Sequence, residues 1–257
     1  MRTRYRKQTR RVFLAVAALT ALCALQAASE QVTVDVGMGN SKMLAAQKQT
    51  AYLRVAMTGN DLNAASRTPL NIAIVLDRSG SMHGDKIAKA KESAAMLIER
   101  LRADDIVSVV AYDSTVSVLV PATRATNKEE ILSGIRHLEP GSNTALFGGV
   151  SKGASEVRKF ADRQLVNRII LLSDGLANEG PSSPGALADL GASLIRESIS
   201  VTTIGLGLDY NEDLMTALAQ KSDGNHVFAE KAEDLTSAFD REFGDVTAVV
   251  AQDVRVT

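Results

Sequence analysis

The sequence predicts an α/β protein built on a doubly wound, mostly parallel sheet with a small flanking antiparallel β-module. Three observations predict it: short β-branched apolar runs, amphipathic helical segments that alternate with them, and two upstream segments of period-two hydrophobicity. Repeated strand–helix units require crossovers, and these place helices on both faces of a parallel sheet. The composition agrees, because 45% apolar and 23% charged residues are ordinary for a globular domain.

Residues 1–29 differ from the rest and predict an export signal. A cationic head precedes the apolar stretch Val12 to Leu25, and small residues at 27–29 offer a cleavage region. Residues 9–14, Thr-Arg-Arg-Val-Phe-Leu, match the twin-arginine signal except for its final Lys, while a general secretory signal is the alternative. Cys23 is the single cysteine and lies in this segment, so the mature chain has no disulfide. We expect an exported protein of the bacterial periplasm or cell surface that meets the membrane only transiently during export.

Residues 30–68 form the predicted N-terminal β segment. Apolar residues alternate with polar ones over two stretches, the first holding Val32, Val34 and Val36 and the second extending from Ala51 to Met57. This period favours two half-buried strands of an antiparallel element over strands of a parallel core.

Residues 69–243 carry the alternating units of the predicted doubly wound, Rossmann-like domain. Apolar runs predict strands over 72–76, 106–111, 115–120, 168–173, 200–204 and 225–229. Helical spacing predicts helices over 85–102, 128–137, 145–160, 184–197, 212–220 and 232–243. The short turn at Asp113-Ser114 makes the strand over 115–120 an antiparallel edge strand.

Residues 244–257 alternate again and predict a C-terminal β segment. Val246, Ala248 and Val250 share one face, as do Val254 and Val256. We expect this strand to pair with the strands of residues 30–68, as the start of a β-module that continues beyond Thr257 in a longer relative.

Polar side chains of three predicted loops converge at one edge of the predicted sheet. Asp77, Ser79 and Ser81 follow the buried strand of residues 72–76, Asp174 follows that of residues 168–173, and Thr144 precedes a helix. Carboxyl ends of parallel strands meet at the ligand-binding edge of an open sheet. Carboxylate and hydroxyl oxygens are hard ligands that suit Mg²⁺, Mn²⁺ or Ca²⁺ and suit zinc poorly.

These motifs resemble the metal-ion-dependent adhesion site of von Willebrand factor type A domains. That family uses an Asp-x-Ser-x-Ser loop, a Thr and an Asp, which match Asp77, Ser79, Ser81, Thr144 and Asp174. Two further strings, over residues 171–175 and 204–211, also look like family sequences, and the resemblance covers roughly residues 70 to 243. It implies a divalent cation, Mg²⁺ before Mn²⁺ or Ca²⁺, whose coordination is completed by an Asp or Glu of a protein partner.

Other function classes have weaker support in the sequence. The net charge of −1 and the scattered basic residues beyond residue 12 argue against nucleic acid. A metal-assisted hydrolase is an alternative, but Gly-x-Ser-x-Gly is absent and no His stands in a recognisable base position. Two non-enzymatic alternatives are an assembly factor for an envelope complex and a scaffold whose ion locks loops. We expect a binding domain rather than an enzyme.

Six other candidate residues have ordinary structural explanations. Asp85 fits the first turn of a helix better than a second metal site, because Gly84 replaces an acidic neighbour. His83 fits a solvated turn, and His137 and His226, which lack any partner pattern, fit positions at the surface or at the edge of a strand. Gly205-x-Gly207 fits a tight turn rather than a dinucleotide loop.

Overall fold

The computed structural model describes residues 32–39, 48, 50–59, 67–162 and 164–250. The chain divides into two compact units at residues 62 and 63, and each is described by itself. The predicted export signal, with Cys23, lies outside the described residues. Within the described ranges, no helix is both long and apolar enough to cross a membrane.

The first unit contains a two-stranded antiparallel sheet. Strand β1 (Val32–Met38) pairs with β2 (Leu53–Gly59), and Val34 lies opposite Met57. This confirms the predicted antiparallel pairing. The predicted half-burial is wrong, because Val34, Val36 and Met57 are 57%, 59% and 48% exposed. Alternation defined the two faces of the hairpin, but a two-stranded sheet has no second layer of its own to cover either.

The second unit is built on a six-stranded sheet in the order β5-β4-β3-β6-β7-β8. Every neighbouring pair is parallel except β4 and β5, which form the predicted antiparallel hairpin at the edge. This confirms the predicted doubly wound sheet. The strands are β3 (Leu70–Asp77), β4 (Ile106–Tyr112), β5 (Val116–Arg124), β6 (Val166–Ser173), β7 (Ile199–Leu206) and β8 (His226–Ala229).

Helices cover both faces of this sheet. On one face β3 directs Ile72, Ile74 and Leu76 into a core shared with the first, second and last of the six helices. On the other face, Ala73 and Val75 join a core shared with the three helices between them. Every residue of β3 and β6 is therefore buried, as their continuous apolar runs predict. The helices are α1 (Asp85–Arg100), α2 (Lys128–Arg136), α3 (Leu146–Arg158), α4 (Pro184–Ile195), α5 (Glu212–Lys221) and α6 (Asp234–Thr247).

Polar side chains determine where three of the helices begin. Asn127, Ser183 and Asn211 each accept a hydrogen bond from a backbone N–H in the first turn of α2, α4 and α5 respectively. Such N-caps satisfy donors that have no partner within the helix. These helices accordingly begin at the predicted residues.

The C-terminal boundary differs from the predicted one. Helix α6 continues to Thr247, so residues 244–247, assigned to a β segment from the sequence, are helical. The reason is packing, since Phe239, Phe243 and Val246 follow a helical spacing and all are buried against the sheet. Residues 251–257 of the predicted strand lie outside the described residues, and its pairing stays a prediction.

Candidate metal centre

The two carboxylates of the candidate site lie at the ends of neighbouring strands. Asp77 is the last residue of β3, and Asp174 directly follows β6. The parallel register pairs Leu76 with Leu172, which brings both chain ends to the same edge of the sheet. Both side chains are fully buried. The topology alone therefore places two acidic groups together at the carboxyl edge, where open α/β sheets bind ligands.

The first loop, residues 77–82, turns sharply after β3. Residues Gly80–Met82 form a 3₁₀ turn, and Met82 is buried beneath it as an apolar anchor. The backbone N–H of Ser79 donates to Asp77 Oδ1 over 2.7 Å. The hydroxyls of Ser79 and Ser81 then lie 3.1 Å apart on one side of the turn. Alternate residues of a single turn thus direct their oxygens to one point.

Asp174 joins this group from the third loop, residues 173–175. Its Oδ1 accepts a hydrogen bond from the Ser81 hydroxyl over 2.6 Å, and its Oδ2 lies 2.6 Å from Lys86 Nζ. Ser173 donates its hydroxyl to Asp77 Oδ2 over 2.7 Å. The sequence predicts Ser173 at the end of the strand before Asp174 but does not predict a contact for its side chain. Its side chain holds Asp77 in position.

Thr144 enters from the second loop, residues 141–144, and is buried. Its backbone N–H donates to Asn178 Oδ1 over 2.8 Å. A methyl group built on Gly175 would lie 3.2 Å from Ser81 Oγ and 3.7 Å from Thr144 Oγ1. Gly175 therefore lies between these two hydroxyls, and its missing side chain keeps the space between them open.

Backbone hydrogen bonds tie the first and second loops together. Gly80 N–H donates to the Ser142 carbonyl over 2.8 Å, and Gly141 N–H donates to the Arg78 carbonyl over 2.5 Å. Arg78 also pairs with Asp113 over 3.0 Å. These contacts fix the loop backbones that carry the oxygens near Asp77. Such preorganisation reduces the cost of ordering the site.

The electrostatics of the site favour a bound cation. Burial raises the pKa of Asp77, against the opposing effect of hydrogen bonds from Ser79 and Ser173, and the charge of Asp174 adds to the rise. Burial, followed by the charge of Asp77, also holds the pKa of the Tyr112 phenol well above its usual range. Tyr112 instead donates its hydroxyl to the Leu172 carbonyl over 3.0 Å. A buried carboxylate with only neutral hydrogen-bond partners gains most from a nearby positive ion.

The donor set fits a small hard cation. An octahedral Mg²⁺ with ligands at about 2.1 Å holds adjacent oxygens about 3 Å apart, which matches the 3.1 Å between the hydroxyls of Ser79 and Ser81. Four predicted ligands are buried, whereas Ser81 is exposed and leaves one side of the group open. Across the described part of the chain, no three His, Cys, Asp or Glu residues cluster as metal ligands. The hydroxyls would therefore have to supply most of the coordination.

The residues with ordinary explanations behave as expected. Asp85 occupies the first turn of α1 after Gly84, whose φ of 74° suits glycine. His83 and His137 are exposed, and His226 is hydrogen-bonded to Thr203 and Tyr210.

Gly205 and Gly207 also serve the turn that the sequence predicts. A methyl group at Gly205 would overlap the ring of Tyr210, and Gly207 has a φ of 77°. Close approach and a left-handed conformation are the two conditions that require glycine.

The family model for the von Willebrand factor type A domain matches residues 71–241. A Synechocystis protein, uncharacterised sll0103, is 30% identical over 74% of this chain and 45% of its own length. The chain spans less than half the length of the curated relatives it matches.

Solved structures share the fold at lower identity. A von Willebrand factor type A protein from Catenulispora acidiphila has a TM-score of 0.68 and 20% identity over 87% of this chain and 52% of its own. Proximal thread matrix protein 1 from the mussel byssus, solved with a zinc-occupied MIDAS motif, has a TM-score of 0.60 and 19% identity, covering 71% and 48%. The vWF domain of the Porphyromonas gingivalis type V pili tip protein Mfa5 has a TM-score of 0.56 and 17% identity, covering 75% of this chain and 99% of its own. With its sheet order, its loops and its sequence match in agreement, the chain belongs to the von Willebrand factor type A domain family.

Proposed function

We propose that this domain binds a protein partner through a divalent cation held by Asp77, Ser79, Ser81, Thr144 and Asp174. Domains of its family often mediate protein–protein interaction. The observation that carries the proposal is the continuous set of contacts Ser79–Ser81–Asp174 at 3.1 and 2.6 Å, beside a buried Asp77. Asp77 accepts hydrogen bonds from neutral groups alone, the Ser79 N–H and the Ser173 hydroxyl, so a bound cation would supply the positive charge that this buried carboxylate lacks.

The ion would be Mg²⁺, with Mn²⁺ and Ca²⁺ as the alternatives. Two carboxylates and three hydroxyls neutralise a divalent ion incompletely, and the open side at Ser81 admits one external oxygen. A carboxylate of a partner Asp or Glu is the strongest ligand for that position, because it brings both charge and an oxygen donor. We therefore propose a partner with an exposed acidic residue.

Binding fits the site better than catalysis. Histidine is the side chain whose ordinary pKa suits a base at neutral pH, and His226 has both ring nitrogens in hydrogen bonds with Thr203 and Tyr210. His83 is exposed beside the first loop but makes no hydrogen bond to it. A metal-assisted hydrolase would need a group positioned to activate water, and neither histidine meets that requirement.

The experiment compares partner capture by the wild type and by Asp77→Ala and Thr144→Ala, with an envelope extract in Mg²⁺ or in chelator. We expect one acidic partner to be retained by the wild type in Mg²⁺ alone and by neither variant. Ser142→Ala is the matched control. Ser142 lies in the same loop as Thr144, but its hydroxyl contacts that of Ser114 and is not one of the proposed ligands. Equal capture by Asp77→Ala and wild type in Mg²⁺ would contradict the proposal.

We also propose that the protein is exported, and through the twin-arginine route. The support is Arg10-Arg11 followed by Phe13 and Leu14 in the sequence. Replacing both arginines with Lys should leave precursor in the cytoplasm, as measured by fractionation. Normal export of that variant would favour the general secretory route.

A further inference from the structure

Lys86 forms an ion pair with a carboxylate of the candidate metal site. It is the second residue of α1, and its Nζ lies 2.6 Å from Asp174 Oδ2. The Asp174 side chain is fully buried, whereas that of Lys86 is 33% exposed. Local sequence patterns do not predict this pair, because 88 positions separate its partners.

We propose that Lys86 is an internal cation that competes with the divalent ion for Asp174 and so sets the metal affinity of the site. This inference rests on the proposed function, since it requires that the site binds a cation. In the absence of the ion, Lys86 compensates the buried charge of Asp174. When the ion binds, the ammonium group is repelled and turns away from the carboxylate.

Charge supports competition. Asp77 and Asp174 together bring two negative charges, and Lys86 changes the net charge of this group from −2 to −1. A positive charge beside a divalent ion opposes its binding, and the opposition is stronger in a partly buried site than in water. Removing that charge should therefore tighten metal binding by about tenfold or more.

A positioning role for Lys86 would have the opposite effect, because its loss would then disorder Asp174. The structure favours competition, since Ser81 independently holds Asp174 Oδ1 through a 2.6 Å hydrogen bond. Asp174 therefore keeps its orientation when Lys86 is removed.

The side chain of Lys86 is also able to move. One third of it is exposed. A lysine side chain is a flexible four-carbon stem that ends in a single point charge. Lys86 can therefore leave Asp174 for solvent without breaking the core. Its exit does not disturb α1, whose buried face is formed by Ile87, Ala90, Ala94, Leu97 and Ile98.

The test is a calorimetric titration of Mn²⁺ into wild-type protein, Lys86→Met and Lys86→Arg. Met removes the charge and keeps the length of the side chain, whereas Arg keeps the charge. Lys89→Met is the matched control, because Lys89 lies on the same helix but pairs with Glu92 over 2.7 Å. We expect Lys86→Met to bind Mn²⁺ about tenfold or more tightly than wild type, and the Lys86→Arg and Lys89→Met affinities to stay near wild type.

A second readout is independent of metal affinity. In chelator, Lys86→Met should melt at a lower temperature than wild type, because Asp174 keeps its buried charge and loses its partner. If Lys86→Met does not fold, Lys86→Gln provides the same comparison, since it removes the charge and retains a hydrogen-bond donor.

Each outcome decides the inference. Equal or weaker Mn²⁺ binding by Lys86→Met, beside saturable binding by wild type, overturns the competition and leaves the proposed metal site intact. Tighter binding by Lys86→Arg contradicts a role for charge. A complete lack of Mn²⁺ binding by all four proteins overturns both the inference and the proposed function.

Discussion

Replacing Asp77 by Asn should reverse the stability order of variant and wild type between chelator and metal. Asp77 is fully buried, and its two oxygens accept hydrogen bonds only from neutral groups, the Ser79 N–H and the Ser173 hydroxyl. Its charge is therefore held without a cationic partner of its own, and the charge of Asp174 lies nearby. Asn keeps the size and one acceptor but removes the charge.

The expected magnitude follows from opposing terms. Burying an ion costs several kcal/mol, and each hydrogen bond to a charged group returns about 1.5–3 kcal/mol. Because burial raises the pKa of Asp77, the cost exceeds the return. We expect Asp77→Asn to raise the free energy of unfolding in chelator by about 1–2 kcal/mol, the difference between these two opposing terms.

Metal should change this order. Mg²⁺ at 100 times its dissociation constant stabilises a folded protein by about 2.7 kcal/mol. The wild type gains this term and the variant does not, so the wild type becomes more stable by about 1 kcal/mol.

The assay is urea unfolding of both proteins in EDTA and in Mg²⁺. A variant that is less stable than wild type in EDTA would show that the Asp77 charge is well compensated without an ion. Equal stabilisation of both proteins by Mg²⁺ would place the ion elsewhere.

Three further predictions concern the fold of the second unit. Arg67→Ala should lower the free energy of unfolding by about 3–5 kcal/mol in urea, because it leaves the fully buried Asp105 without the cation that lies 2.9 Å from its Oδ1. Gly153→Ala should cost about 1–3 kcal/mol by the same measurement, since its methyl would lie 2.6 Å from Val75 Cγ2. Burial lowers the pKa of His226, so the unfolded chain binds the proton more readily and stability falls as the pH drops below about 6.5. The wild type should therefore lose stability relative to His226→Gln between pH 7.5 and 5.5.

Each of these has a result that contradicts it. Arg54→Ala is the control for Arg67, because Arg54 forms an exposed pair with Asp35, and an equal effect of the two would refute the importance of burial. An undisturbed Gly153→Ala would mean that α3 shifts without cost. Parallel pH profiles for wild type and His226→Gln would show that His226 titrates alike in folded and unfolded chains.

The central sheet and the position of the two carboxylates could be predicted from the sequence for one physical reason. The runs that end at Asp77 and Ser173 are apolar on both faces, and only strands buried in the middle of a sheet satisfy that pattern. Placement of both acids at one edge then follows from parallel topology.

The details that the sequence did not provide depend on tertiary contacts. Lys86 pairs with Asp174, and Ser173 donates a hydrogen bond to Asp77. The partners in both pairs are far apart in the sequence, so no local periodicity predicts them. Val246 fits the period of a strand as well as that of a helix. The packing of Phe239 and Phe243 against the sheet favours the helix, which therefore continues to Thr247. The alternation of apolar and polar residues in β1 and β2 defines the two faces of their hairpin but does not predict what covers either face.

The central claim is that the five oxygen-bearing residues hold one divalent ion. The most direct measurement is a crystal structure of the protein grown with saturating Mn²⁺, with anomalous scattering used to locate the metal. We predict one anomalous peak per chain, in contact with the hydroxyls of Ser79 and Ser81 and beside Asp77, Thr144 and Asp174. Absence of a peak there, or a single peak at another position of the chain, would contradict the account.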